Sequence, residues 1–308
     1  MTSHRKFREI RAMPKRISKL TNTKNTNTHH PIEALGNVAA TTGDIRVEKL
    51  EDRLNPKVPF PHKHDFFQFV FITTGSGWHQ LDFEKYKAEA GSFFIVKPGQ
   101  MHNWKLNPKT SGIIIEFTHE SLPKEIAWVS ELLAKSRTLP DLIKFSSTQK
   151  KEIVQILNSM LKEFSERSTS FQICLQNYLS NLLIQLLRST KAKSTQATTT
   201  DSIVEKFRQL IDQNYKTEHA VEFYSQALKV TPKALTMRVT RTVKKSARKL
   251  IHERVLLEAK RLLAYSNLSV SDVGYSLGYD DPNYFVRFFH EHVGQTPAKF
   301  KANRSGLK

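Results

Sequence analysis

Three imidazoles and an amide stand at a spacing that invites chemistry: His62, His64 and Gln68 in one run, and His102 just after Pro98-Gly99. A His-X-His pair with a distant third His offers nitrogen donors of the kind that hold zinc or copper, or that hydrogen-bond a polar small molecule. Gln68 stands where a fourth ligand would fall, and its amide lacks the charge of a carboxylate. Two uses remain open, a small-molecule pocket on His62, His64, Gln68 and His102 without a metal, or a metal site on His62, His64 and His102. Phe66, Trp78 and Trp104 are candidates for the apolar walls of a pocket, and each suits a core equally well. No Ser/His/Asp or Cys/His set appears in a motif context, so nucleophilic catalysis has no support. A different chemistry lies near the other end. Asn283, Val286, Arg287 and His290 recur at i, i+3, i+4 and i+7, which places an amide and a guanidinium on one outward helix face. Those groups fit base edges in a DNA major groove, Arg to guanine O6/N7 and Asn to adenine N6/N7.

The second set needs a stiff scaffold, and the surrounding residues supply one. Ser269 with Asp272 forms a capping box, and Val270, Val273 and Leu277 give the helix they start one apolar side. Gly278 ends that helix, being free to adopt a left-handed conformation. Asp281 then caps and Pro282 opens a second helix. Tyr284, Phe285, Phe288, Phe289 and His292 fall on its other face, which is expected to be buried. The pattern is that of a helix-turn-helix, or of a helical hairpin whose Arg and Asn are solvated. The same logic appears fifty residues upstream. Ala220–Val230 and Thr231–Val243 form a second pair, with Thr231-Pro232 in the place of Asp281-Pro282. There Leu235 and Val239 face in, while Lys233, Thr236, Met237, Thr240 and Arg241 face out. A helix over Leu250–Tyr265 joins the two pairs.

The stretches Asp272-Val-Gly-Tyr-Ser-Leu-Gly278-Tyr, Asp281-Pro-Asn-Tyr284-Phe285, Arg287-Phe-Phe289 and Gly294-Gln-Thr296-Pro297 resemble the signature of AraC-family transcription regulators. The resemblance runs from about Val221 to Ala302. It departs at Gly274, where the family usually has Ala, at a cost of about 1 kcal/mol of helix propensity. It implies two motifs on one stiff helix, addressing major grooves about 34 Å apart. Met237 stands where Arg is common and Arg238 where an apolar residue is common. Lys233 and Arg241 then serve phosphates, which position a protein without carrying sequence information. Pro61-His62-Lys-His64 with Gln68 and Gly75, and Gly91 with Pro98-Gly99-Gln100-Met101-His102, resemble the two cupin motifs. That likeness implies one barrel with the histidines at its mouth, and in this family a pocket that holds an effector rather than a metal.

The rest of the chain agrees with two domains. The 308 residues carry a net charge of +19, with 39% hydrophobic residues and a pI near 9.9. Residues 1–30 hold 8 Lys/Arg against 1 acid and residues 201–308 hold 19 against 11. Basic ends point to a polyanion, nucleic acid before anionic membrane. The single Cys174 excludes a disulfide framework and fits a reducing cytoplasm, and no apolar run reaches membrane-spanning length. Residues 1–30 read as a disordered basic arm, with Met13 as an alternative start. From Ile45 to Phe117 short β-rich runs (Phe66–Thr73, Trp78–Phe83, Ser92–Val96, Gly112–Phe117) predict a sandwich or small barrel. Helices follow over Leu122–Leu133, Gln149–Phe164 and Phe171–Leu187. The last is apolar enough to face both its own domain and a partner copy. Ser189–Thr200 is a polar linker.

The expected architecture is α+β in two domains. It comprises a cupin-like barrel with a helical appendage for effector binding and dimerisation over 31–189, a linker over 190–200, and an all-α domain with two helix-turn-helix motifs over 201–303. The expected activity is that of a cytoplasmic transcription regulator and activator, not an enzyme. Its partners would be double-stranded operator DNA, a small-molecule effector, RNA polymerase and a second copy, with no cofactor and no membrane. The alternatives are a metal-dependent cupin enzyme fused to a DNA-binding domain, and an effector-independent DNA-binding protein.

Overall fold

The computed structural model describes residues 43–54, 61–123, 127–191 and 201–304. The arm expected over 1–30 and residues 192–200 of the linker lie outside the described residues. Eight strands form among the described residues: β1 (Arg46–Lys49), β2 (Phe67–Thr74), β3 (Ser76–Leu81), β4 (Glu84–Glu89), β5 (Ser92–Val96), β6 (His102–Leu106), β7 (Ser111–Phe117) and β8 (Leu142–Lys144). They form a five-stranded sheet in the order β1-β7-β2-β5-β8 and a three-stranded sheet in the order β4-β3-β6. Every pairing is antiparallel.

The period of two divides the larger sheet cleanly. Phe67, Phe69 and Phe71 of β2, Phe93 and Ile95 of β5, and Ile113, Ile115 and Phe117 of β7 face the helices. Val70, Ile72, Phe94, Val96 and Ile114 face the small sheet and meet Leu81, Ala88 and Trp104 there. The helical cover consists of α1 (Ala127–Ser136), α2 (Ser147–Glu166) and α3 (Phe171–Lys191). Ile153, Ile156, Leu157 and Met160 of α2 are buried, as are Leu175, Leu179, Leu182, Leu183 and Leu186 of α3. The helix expected from Leu122 begins later. Leu122 is extended backbone that closes a 3-10 turn capped by Thr118, and it is buried in the core.

Seven helices follow among the described residues: α4 (Ser202–Asn214), α5 (Val221–Ala227), α6 (Pro232–Val243), α7 (Ala247–Tyr265), α8 (Val270–Ser276), α9 (Pro282–Val293) and α10 (Pro297–Arg304). The two motifs share their punctuation. Thr231 and Asp281 each cap a helix with Pro next in line, and Lys244 and Gly294 each end one in the left-handed region, at φ 57° and 76°. Gly278 (φ +79°) makes the turn between α8 and α9, and a Cβ there would lie 2.4 Å from the Lys216 carbonyl. Gly274 lets α8 approach α9 closely, since a Cβ would meet Phe285 at 3.2 Å. Val204, Phe207, Tyr224, Leu235, Val239, Ile251, Val255, Phe285 and Phe289 belong to a separate helical core. Among the described residues no helix is long and apolar enough to cross a membrane.

Candidate nucleic-acid interface and effector barrel

Helix α9 presents Asn283, Arg287 and His290 to solvent, with Val286 half-buried between them, while Phe285, Phe288 and Phe289 anchor the opposite side. Two residues depart from the expected division. Tyr284 is 58% exposed, and its ring lies 6.0 Å from the Arg287 guanidinium carbon. His292 is exposed and donates from Nδ1 to the Phe288 carbonyl at 2.9 Å. Both sit at the border of the apolar stripe, where a 3.6-residue period leaves a side chain free to turn either way. Helix α6 exposes Lys233, Met237, Thr240 and Arg241, and Thr236 is half-buried. Arg238 ends in an ion pair to Asp201, the N-cap of α4, at 3.1 Å. This accounts for an arginine where an apolar residue was expected. Arg241 also reaches Asp201, at 3.6 Å, and keeps its side chain largely exposed.

Inside the barrel, His62, His64, Gln68 and His102 are all buried. A β-bridge between His62 and His102 brings the first loop against β6. Their rings then meet Nε2 to Nε2 at 3.1 Å, and His102 Nδ1 lies 3.4 Å from Nε2 of His79. His64 Nδ1 faces the Phe66 carbonyl at 2.8 Å; a carbonyl only accepts, so Nδ1 carries the proton and Nε2 the lone pair in the neutral ring. Burial, with His62, His64 and His79 adding to it, holds His102 well below the usual imidazole range. Burial, aided by His62, depresses His79 to about 3. His79 and His102 are therefore neutral near pH 7, and in the His62–His102 contact one Nε2 gives the proton and the other the lone pair. Among the described residues no group of three His, Cys, Asp or Glu has an arrangement that could hold a metal ion.

The wall beside Gln68 is ionic. Gln68 Nε2 donates to Glu116 Oε1 at 2.9 Å. Glu116 Oε2 stands 3.6 Å from both Arg46 and Arg53, and Glu48 accepts from the same two arginines at 2.6 Å. Burial raises the Glu116 carboxyl above its ordinary range, against the pull of Arg53 and Arg46. Arg46 Nε, Gln68 Oε1 and Glu116 Oε2 are buried without a hydrogen-bond partner among the described residues. Arg46, Glu116 and Gln68 are cross-strand neighbours on β1, β7 and β2. Sequence reasoning missed Glu116, Arg46, Arg53 and His79; the polar residue inside the apolar run of β7 was the available signal.

The aromatic candidates separate. Trp104 is buried 5.4 Å from His79 and 5.8 Å from His102, and Phe66 stacks on His64 at 4.0 Å. Trp78 does not line this interior. It alternates with buried His79 in β3, so it points the other way, half-buried under the Lys85 ammonium at 4.0 Å. At the barrel mouth, Pro61, Gln80, Asp82, Met101, His102, Asn103 and Tyr265 line a cleft of about 10 Å³, space for about one water molecule.

Residues 47–192 match the family described as AraC-like ligand binding domain, and residues 224–303 match a helix-turn-helix domain family. The chain belongs to the AraC family of transcription regulators. It is 22% identical over 266 residues to the HTH-type transcriptional activator RhaS of Klebsiella pneumoniae (strain 342), covering 85% of this chain and 95% of that one. It is likewise 22% identical over 263 residues to the HTH-type transcriptional activator RhaR of Escherichia coli O139:H28, covering 84% and 92%. Among solved structures it is similar to fatty-acid-bound ToxT from Vibrio cholerae strain SCE256, at 13% identity and a TM-score of 0.40, covering 87% and 99%.

In this AraC-family chain the two halves meet along α7. Arg261 donates to both carboxylate oxygens of Asp82, at 2.7 and 2.9 Å, from a side chain only 7% exposed. Glu258 lies between Lys63 (3.5 Å), Arg254 (3.3 Å) and Arg261 (3.4 Å). Burial pushes the Glu258 carboxyl up, but the three cations outweigh it and hold it below its ordinary value. Tyr265 donates its hydroxyl to the Asp82 carbonyl at 2.6 Å and stacks on Phe83. The helix that spaces the two DNA-binding motifs is thus clamped to the hairpin tip beside the histidines.

Proposed function

We propose that this chain is an effector-responsive activator that acts in the cytoplasm as a homodimer and brings RNA polymerase to its promoters. The observation that carries the DNA-reading assignment is the exposed face of α9, with Asn283 and Arg287 solvent-facing on a helix anchored by three buried phenylalanines. Arg287 and Asn283 read base edges, flanked by Val286 and His290. Lys233 and Arg241 on α6 hold phosphates, with Thr236 and Met237 beside them.

The effector sits in the barrel against His62, His64, Gln68 and His102, with Phe66 and Trp104 as walls. The unfilled bonding capacity of Gln68, Glu116 and Arg46 supports a polar ligand there, because a buried polar atom without a partner costs about 1–3 kcal/mol. Dimerisation uses α3, where Ile173 is 58% exposed and Ile184 and Leu187 are half-buried.

Binding to operator and scrambled duplexes across a salt series tests the DNA reading. Arg287→Ala is expected to cost about 1–3 kcal/mol on the operator and to relax preference at one base pair. Lys233→Ala is expected to weaken both duplexes and lower the salt slope by about one. Equal weakening of both duplexes by Arg287→Ala, with unchanged preference, would make Arg287 a phosphate contact and sink the assignment.

A further inference from the structure

Two histidines from different helices meet outside the barrel. His252 stands in the first half of α7 and His292 in the last turn of α9, and His252 Nδ1 lies 3.1 Å from His292 Nε2. The proton positions follow from the neighbouring backbone. His292 Nδ1 faces the Phe288 carbonyl at 2.9 Å, so Nδ1 carries the proton and Nε2 the lone pair in the neutral ring. His252 Nδ1 is then the donor between the two rings. Phe288 also packs against both, its ring 5.0 Å from that of His252 and 4.7 Å from that of His292. His252 is half-buried and His292 exposed, so solvent reaches the pair. The charged side chains that act on His252 are Arg248 and Glu291, of opposite sign.

We propose that His252 and His292 bind a divalent d-block ion, zinc or nickel, which staples the reading helix α9 to α7. Two nitrogens on one tetrahedral ion, each at about 2.0–2.1 Å, stand about 3.3 Å apart. The pair is at 3.1 Å, so a shift of a few tenths of an ångström admits the ion. His292 is held as a ligating histidine is held, its other N–H on a backbone carbonyl that fixes the tautomer and aims the lone pair. His252 carries its proton on Nε2 when the ion binds, which frees the Nδ1 lone pair. Imidazole nitrogens suit zinc and nickel, whereas magnesium takes oxygen ligands. No third His, Cys, Asp or Glu joins the pair among the described residues. Water therefore completes the coordination, and binding is reversible. The staple joins the end of α9, beyond Arg287, to the helix that spaces the two motifs.

The test is calorimetric titration of the full chain, first stripped with EDTA, with zinc, nickel and magnesium chlorides. A saturable site for zinc and nickel is expected, with magnesium much weaker. His292→Ala should weaken that site about tenfold or more, and His252→Ala should do the same from the other helix. An ion that binds only the folded chain raises its unfolding temperature. Zinc should therefore raise the unfolding temperature of the parent and leave that of His292→Ala unmoved. In EDTA, His292→Ala should keep the parent's circular dichroism, because the ring it removes is exposed, so a lost metal response is not a lost fold. No zinc or nickel binding, or binding indifferent to both substitutions, would overturn the proposal. Binding lost on His102→Ala but kept in His292→Ala would also overturn it and assign the ion to the barrel.

Discussion

Replacing Asp82 with Asn isolates the charge that clamps α7. Asp82 sits in the β3–β4 turn at φ 52°, a left-handed conformation that Asp and Asn both tolerate. The turn therefore survives and the electrostatic loss is read alone. Breaking a buried ion pair by removing one partner costs about 3–5 kcal/mol. Two features reduce the cost here. Glu258 stays 3.4 Å from Arg261, and Asn keeps one carbonyl acceptor. The expected penalty is then about 2–3 kcal/mol, or roughly a 30- to 140-fold loss in the docked population at about 1.4 kcal/mol per tenfold. The loss should appear as undocking, because the helical core of Ile251, Val255 and Phe289 does not include Asp82. Small-angle scattering of the full chain should show a larger radius of gyration. Denaturant unfolding should separate into two transitions. Adding Arg261→Met to Asp82→Asn should recover much of the loss, since the stranded charge is then gone. Unchanged scattering and a single unchanged transition would refute the clamp, and so would a double variant no better than the single one.

Three further outcomes follow from the same geometry. Gly278→Ala should destabilise the chain by about 1–3 kcal/mol, through backbone strain at positive φ and the clash with the Lys216 carbonyl, and an unfolding midpoint within error of the parent would contradict this. Trp104→Ala should cost about 3–5 kcal/mol by emptying a packed interior, whereas Trp78→Ala should cost well under half of that; equal losses would show the phase of β3 to be wrong. His252 is depressed to about 4, by burial first and then by His292 and Arg248. Between about pH 6.5 and 4 the unfolded ring binds more protons than the folded one, so the stabilisation present above pH 6.5 falls away across that window. The slope should stay below about 1 kcal/mol per pH unit because the ring is partly solvated, and His252→Gln should flatten it in acid denaturation profiles.

The DNA-binding half was legible because its signals are local. Ser269, Gly278, Asp281 and Pro282 each act within four residues of themselves, and the helices begin and end where these residues stand. The outward set of α9 followed from the same period. Only Tyr284 and His292, at the margin of the stripe, fell on the other side. In the barrel the four missed strands lacked such signals. β1 and β8 are only 4 and 3 residues long, and β4 reads EKYKAE, the charged texture of an edge. β6 was noticed only for His102 and Trp104. Trp78 and His79 are adjacent, and nothing local decides which of two neighbours faces inward; the pairing with β6 decides it. Asp82 was invisible as a functional residue. A carboxylate in a hairpin turn looks like any solvated one, and its partner Arg261 lies 179 residues away.

Helix α7 carries two obligations on one axis, and this constrains how the protein can change. Ile251, Val255, Ala259 and Leu263 pack into the core that both motifs share, while Glu258, Arg261 and Tyr265 engage the barrel. One residue inserted near Lys260 would rotate everything after it by about 100°. Arg261 and Tyr265 would then leave Asp82, or the second motif would turn away from the first. An insertion of seven would restore the angle to within about 20°, yet push the second motif about 10 Å along the axis, away from a groove repeat of about 34 Å. Length variation between relatives should therefore concentrate in the turns of the small sheet and in the segment joining the halves. The residue count from Ala247 to Tyr265 should hold fixed, even where side chains along it diverge.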